Sequence, residues 1–230
     1  MNTRYHQHGL TLLELLVAIT LGLAVVTGTI QIYLGTSQTY RVQEAQSRIQ
    51  ENGRFALERL NREIRMAGLG GPSTSTPLQA ITKGTADAIE ISYTIDPDPE
   101  QTFEFYIDDS VSGNSTSLYQ LIVPPAQELI EHVEDMYILY GVDQNGDRLV
   151  DDYVEASNVG NWGSVVAVRI SLLLASPPDT RVINEAQTVF FPPEGFDSSG
   201  NLVSAIPLTF DDGRLRQVFS TTIGIRNRLL

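Results

Sequence analysis

The chain has 230 residues, 42% of them hydrophobic, which supports a folded core and excludes wholesale disorder. Fifteen Lys and Arg stand against 28 Asp and Glu, a net charge of -13. A chain this acidic repels phosphate backbones, so no nucleic-acid partner is expected. Cysteine is absent, which removes disulfides, thiolate metal sites and a cysteine nucleophile together.

The charge falls into three zones. Residues 1–40 carry only Arg4 and Glu14, residues 41–65 carry six arginines and four acids, and residues 66–230 carry eight basic and 23 acidic side chains, a net -15. After nine polar residues the chain is apolar from Leu10 to Leu34, with Glu14 as its one charge. As a helix this stretch spans ~37 Å, more than the ~30 Å hydrocarbon core of a bilayer. It exceeds the h-region of a secretory signal peptide, and no small-x-small cleavage site follows it. A plain membrane anchor is the simpler reading, but a carboxylate among apolar residues costs about 2.5–3.5 kcal/mol at the bilayer centre and marks a partner or a function.

The flanking residues are Gly9-Leu10-Thr11-Leu12-Leu13-Glu14, followed by the uninterrupted apolar run. They resemble the type IV prepilin signature. The resemblance implies cleavage after Gly9 by a prepilin peptidase, methylation of the new amine on Leu10, and a glutamate, Glu14, that neutralises the ammonium of a neighbouring subunit. Leu10 departs mildly from the phenylalanine that is commonest there. Two poorly solvated groups of opposite sign are costly alone and tolerable together, so such a pair specifies axial stagger more surely than it adds stability.

The helix is predicted to continue. Residues 36–67 contain no proline, and Val42, Ala45, Ile49, Ala56, Leu60, Ile64 and Ala67 form one apolar stripe. Glu44–Arg48 and Glu58–Arg62 are spaced to pair one turn apart. Gly68, with Pro72 beyond it, stops a helix of roughly 55 residues. The arginines of residues 41–65 read as a solvated face or as contacts for acidic neighbours.

Residues 73–87 read as a Ser/Thr/Pro-rich linker. Strand-like runs follow at Ala88–Ile95, Thr102–Ile107, Leu118–Val123, Met136–Val142, Leu149–Val154, Val165–Leu174, Thr188–Phe191 and Gln217–Ile225. Val166, Val168, Ile170, Leu172 and Leu174 line one face of a strand, which predicts an antiparallel sheet with one face turned to the helix. The expected class is α+β: one long N-terminal helix packed on an antiparallel β-sheet head. The expected organisation is a leader over 1–9, a transmembrane or filament-core helix over 10–35, an amphipathic docking helix over 36–68 and an acidic β-rich head over 69–230.

Several stretches resemble PilW-type minor pilins, in this order: Arg54–Gly68, Val133–Asp143, Trp162–Ile170 and Arg216–Arg228. The resemblance implies assembly or priming of a type IV pilus near the filament tip. Its implied partners are the peptidase, other minor pilins, the major pilin and the inner-membrane assembly platform. The implied location is the bacterial inner membrane, single-pass with a periplasmic head, and then the pilus at the cell surface. A large pseudopilin of a type II secretion system shares the cleavage site and is the alternative.

The search for catalytic chemistry returns little. Once a leader is removed, His132 is the remaining histidine, and no nucleophile elbow, zinc helix or phosphate loop is present. No enzymatic activity and no required cofactor are expected. One loop, Asp143 to Asp152, places Asp143, Asn145, Asp147 and Asp151 at alternate positions, as candidate calcium ligands. Arg148 occupies the position where such loops have glycine, and no glutamate falls at the twelfth position. The competing reading is a plain hairpin around Asn145-Gly146.

Overall fold

A computed structural model describes residues 11–70, 78–83, 86–94, 101–110, 115–122, 124–178, 182–192, 195–196, 202–203 and 205–229. Helix α1 runs Leu12–Met66, 55 residues without interruption. The chain forms two compact units, residues 1–43 and 44–230. Ala45 is the first buried residue along α1.

In the first unit the helix is apolar all round. An 18-residue window of mean hydropathy 2.1 has none of its residues buried, so this helix is long and apolar enough to cross a membrane. Its threonines do not expose free hydroxyls. Thr20, Thr27, Thr29, Thr36 and Thr39 each donate to a carbonyl one turn back, at 2.8–3.0 Å. These hydroxyl donors are thereby satisfied within the helix on a surface suited to hydrocarbon.

In the second unit the helix turns a single stripe inward. Ala45, Ile49, Gly53, Ala56, Leu60 and Ile64 are buried at three- and four-residue steps. Gly53 lets α1 approach the sheet closely, since a Cβ there would sit 2.6 Å from the Phe219 ring. The Glu44–Arg48 pair forms at 2.8 Å. The Glu58–Arg62 pair does not, because Arg62 Nε lies 3.7 Å from the inward-facing Glu63 instead. Gly68, at φ 74, ends the helix, and its N–H donates to the Ser92 carbonyl at 2.9 Å.

Five strands make an antiparallel meander in the order β1 (Leu78–Lys83), β2 (Ala86–Tyr93), β3 (Gln101–Asp109), β4 (Thr116–Leu121) and β5 (Gln127–Glu131). A second sheet uses β6 (Val133–Val142), β7 (Asp152–Val154), β8 (Val165–Ala175) and, near the C-terminus, β13 (Arg216–Gly224), in the order β13-β8-β6-β7. Between β8 and β13 lie β9 (Gln187–Phe190), paired with β12 (Pro207–Phe210), and the short ribbon of β10 (Gly195–Phe196) and β11 (Leu202–Val203). Helix α2 (Arg226–Leu229) follows β13. A single residue, His132 at φ 65, separates β5 from β6 and carries the chain from one sheet to the other.

One core joins the stripe of α1 to both sheets. Leu60 and Ile64 share it with Ile89, Phe105, Met136 and Ile170, all nearly or fully buried. The inward face of β8 is the predicted one from Val168 onward, with Val168, Ile170, Leu172 and Leu174 in that core, whereas at the start of the strand, where the β6–β8 register shifts, Val165 stands there in place of the expected Val166. Its other face is covered as well. Leu173 packs with Val189 and Phe191, and Ser171 is hydrogen-bonded to Ser220 at 2.8 Å.

Three strand expectations need correction. Residues 73–87 are not all linker, since β1 and the start of β2 lie inside them. Leu78 and Ala80 pair with Ile91 and Ile89, but Leu78, Ala80 and Ile81 do not alternate cleanly with the polar residues, so the pattern is too weak to read. The β5 segment, Gln127–Glu131, escapes notice for the same reason, with Ile130 its one buried residue. The run Leu149–Val154 is strand only over Asp152–Val154, because side chains capture the preceding backbone N–H groups.

Candidate functional site

Gly9 and Leu10 lie outside the described residues. The described chain begins at Thr11, and there Glu14 acquires a local role. Thr11 N–H and Oγ1–H donate to Glu14 Oε2 at 3.0 and 3.1 Å, and Glu14 N–H donates back to Thr11 Oγ1 at 3.2 Å. This is a capping box, with Thr and Glu three residues apart satisfying two of the orphan donors of the first turn. The Thr-x-x-Glu spacing was visible in the sequence, but the prepilin signature drew attention to Glu14 alone. The carboxylate is exposed.

A second carboxylate on α1 is treated in the opposite way. Glu63 is 3% exposed. It accepts from Tyr93 Oη–H at 2.6 Å and pairs with Arg59 at 2.8 Å. Arg59 in turn donates to Gln120 Oε1 at 3.1 Å. A helix residue is thereby tied to β2 directly and to β4 through its neighbour. Burial first, and then the Glu63 hydrogen bond, push the Tyr93 phenol well above its ordinary value, so it remains the donor. No sequence signal marks Glu63, because its partners are distant in the chain.

A third polar knot pins the start of β13. Arg216 is 5% exposed. It bonds Glu134 at 2.6 and 3.0 Å and Asp212 at 2.6 and 2.8 Å, over the Phe210 ring at 3.7 Å. Arg214 adds a 2.7 Å pair to Glu134. The Arg216 hydrogen bonds hold the Asp212 carboxyl well below the usual carboxylate range.

The loop after β6 brings all four candidate calcium ligands into one network. Asp143 accepts N–H bonds from Asn145 at 3.1 Å, Gly146 at 2.6 Å and Arg148 at 2.9 Å. The Asn145 amide donates to Asp147 Oδ2 at 3.3 Å and Asp151 Oδ1 at 3.0 Å. Gly146 takes φ 83, and Arg148 takes φ 68 in the position where a calcium loop has glycine. Among the described residues no group of three or more His, Asp or Glu is arranged to hold a metal ion. Desolvation works against the charge of Asp143, but the N–H groups of Arg148, Gly146 and Asn145 outweigh it and hold the carboxyl below its ordinary value. Trp162 stands edge-on to Tyr140 at 4.8 Å, and Tyr153 lies under Arg169 at 4.1 Å, so both rings pack against the sheet.

Comparison with known proteins agrees with this architecture. Residues 4–30 match the prokaryotic N-terminal methylation motif, and residues 104–227 match the family model of type IV pilus-assembly protein W. A type IV-like pilin from Thermus thermophilus superposes with a TM-score of 0.53 at 16% identity, covering 80% of this chain and 99% of that one, a likeness of fold alone. No curated protein matches the chain. The pilus-assembly match takes in β6, β8 and β13, long strands of the second sheet that share the core with α1, and because it spans more than half of the sequence, the chain belongs to the type IV pilus-assembly protein W family of pilins.

Proposed function

We propose that this pilin is a minor subunit that is cut after Gly9, methylated on Leu10 and built into a type IV pilus near its tip. The observation that carries the reading is a single uninterrupted helix whose exposed apolar half bears one carboxylate, in its first turn. A cut ahead of such a helix cannot release the protein. It creates an ammonium on Leu10, next to the Thr11 cap, where solvation is poor and a counter-charge is needed. Glu14 of an adjacent subunit supplies it, trading part of its bonding within the cap for the incoming ammonium. In this reading the protein sits in the bacterial inner membrane with its head in the periplasm. Its partners there are the prepilin peptidase, other pilins and the assembly platform. The match to the pilus-assembly family favours a pilus over a secretion pseudopilus.

Mass spectrometry of the mature protein tests processing. The expected N-terminus is methyl-Leu10, and any other start overturns the assignment. Gly9→Val is expected to leave a full-length, unassembled precursor, because the residue before the cut must pass close to the peptidase. Glu14→Ala is expected to be cleaved normally and to be depleted from sheared pili. Normal recovery of that variant would make the charge pair dispensable.

A further inference from the structure

Strand β13 lies at the edge of the second sheet, next to β8. Its pairing shows which of its groups face outward. The Leu215 carbonyl accepts from Ser176 N–H at 2.8 Å just before the strand, and Ile225 N–H donates to the Val166 carbonyl at 2.9 Å just after it. The register with β8 is continuous from Arg216 to Gly224. Odd-numbered residues therefore bond β8, and even-numbered ones point N–H and C=O away from it. The Gln187 side chain takes both outward groups of Arg216, at 2.7 and 2.8 Å. Beyond it, the backbone groups of Val218, Ser220, Thr222 and Gly224 have no partner among the described residues. Natural edge strands are commonly blunted by a proline, a charge or a bulge, and β13 has none of these between Gln217 and Ile225.

An open groove of about 790 Å³ runs between this strand and α1. Phe219 and Thr221 line it from β13, and Leu57 and Met66 from the helix. Arg54, Arg62 and Arg65 on α1 and Arg226 on α2 also line it, against one carboxylate, Glu58. Arg54, Arg65 and Arg226 make no ion pair among the described residues, and Arg62 reaches only Glu63, which Arg59 already holds at 2.8 Å. An open strand edge calls for a backbone, an apolar floor for side chains at alternate positions, and unpaired arginines for carboxylates. We propose that this edge and groove receive an extended acidic segment of a different polypeptide, which adds a strand to β13. Its alternate side chains lie over Leu57, Met66 and Phe219, and its carboxylates meet the arginines. Arg54 and Arg65 lie ~16 Å apart along the helix axis, the rise of about five strand residues, so acids spaced along one face of the added strand reach both ends. A second copy paired edge to edge through β13 would bring two arginine faces side by side, which like-charge repulsion opposes. The inference rests on the reading of a minor subunit near the tip, beside chains other than its own, and adds the surface that such a chain engages.

The probe is a fluorescein-labelled peptide of eight residues, with threonine at every second position and glutamate, valine, valine and glutamate in turn between them. The whole chain, purified in detergent, is expected to bind it saturably by fluorescence anisotropy. A peptide with lysine in place of glutamate is expected to bind at least tenfold more weakly, and so is one N-methylated along its backbone. Arg62→Glu with Arg65→Glu, both at exposed positions, is expected to weaken the acidic peptide at least tenfold while the thermal melt stays unchanged. Ser220→Pro removes one outward N–H without breaking a backbone bond to β8, and is expected to weaken it similarly. No saturable binding up to about 1 mM peptide overturns the site. Binding indifferent to charge reversal, or equal for the N-methylated peptide, overturns it as well. Ser220→Cys protein oxidised without peptide is expected to dimerise no more than Thr209→Cys protein, both positions being exposed. A dimer specific to position 220 would give the edge to a second copy and overturn the assignment. None of these readouts needs processing, so failure here beside a normal methyl-Leu10 terminus leaves the pilus reading intact.

Discussion

The two halves of α1 belong to one continuous helix, yet only the second buries any of its residues. Residues 12–34 are apolar around the whole circumference and remain exposed, Leu12 at 77% and Ile32 at 72%. In the half from Glu44 to Met66 the apolar residues narrow to a stripe, and Leu60 and Ile64 reach 0%. A stripe is the signature of a helix whose partner is the rest of its own chain, whereas an all-round apolar surface looks for partners elsewhere. The two glutamates repeat the lesson. Glu14 is exposed and, among the described residues, bonded within its own turn, while Glu63 is buried and tied across thirty residues to Tyr93.

Alanine substitutions should separate the halves most sharply. Leu60→Ala is expected to cost the head about 2–5 kcal/mol through lost burial and a residual cavity. Leu23→Ala should change the same denaturant midpoint by less than about 0.5 kcal/mol. A comparable loss from both would mean that the first half is also held by the head. Glu63→Gln should come next, at about 1–3 kcal/mol, because Arg59 loses its counter-charge in a buried setting. Tyr93→Phe combined with it should show coupling in a double-mutant cycle, and strict additivity would deny the shared bond.

Glycines offer a third comparison. Gly53→Val should cost about 1–3 kcal/mol by overpacking against Phe219, and Phe219→Ala in the same chain should recover part of it. Gly22 and Gly28 have nothing within 4 Å of an added Cβ. Alanine at either position should therefore leave the head's melting curve in place, and a shift at those positions would contradict the comparison.

Much of this division was readable from the sequence. The apolar run, the stripe from Ala45 to Ala67, the stop at Gly68 and the long strands β6, β8 and β13 all carry strong periodicity, because burial on one face dictates every second or every fourth residue. The missed elements lack that imprint. Among its described side chains β1 buries Leu78 alone, and β5 buries Ile130 alone. Glu63 with Tyr93, and Arg216 with Glu134, are contacts between distant segments, to which local spacing is blind. Gly9 and Leu10 were nominated by signature alone, whereas the Thr11–Glu14 cap follows from a local rule that could have been applied at the start.

Smaller effects should be confined to the second unit. Asp212 is depressed by Arg216, so its contribution to stability is complete above the unfolded carboxylate value near ~3.9 and is lost as pH falls below it toward the lower folded value. Urea midpoints measured from pH 6 to pH 2 should fall more steeply for the parent than for Asp212→Asn. Parallel curves would show the pair to be without consequence. The smallest effect is expected at the Asp143–Asp152 turn. Because the turn's own N–H groups already engage these carboxylates and no group among the described residues is arranged to hold a metal ion, melting in millimolar calcium and in chelator should coincide. An upward shift with calcium that Asp147→Ala abolishes would instead make Asp143, Asn145, Asp147 and Asp151 an ion site.

The hydrogen bond from the Asn227 amide to the Ala67 carbonyl, 3.1 Å long, brings the two ends of the head together. Chain fused beyond Asn227 therefore starts beside the end of the helix, next to Arg226, and a fluorescent protein or affinity tag attached there would crowd the α1 face that carries Arg62, Arg65 and Met66. Gly146 has open space around it. A small label placed in that turn would report on the head without touching the helix, so the two positions differ in what a label there would disturb.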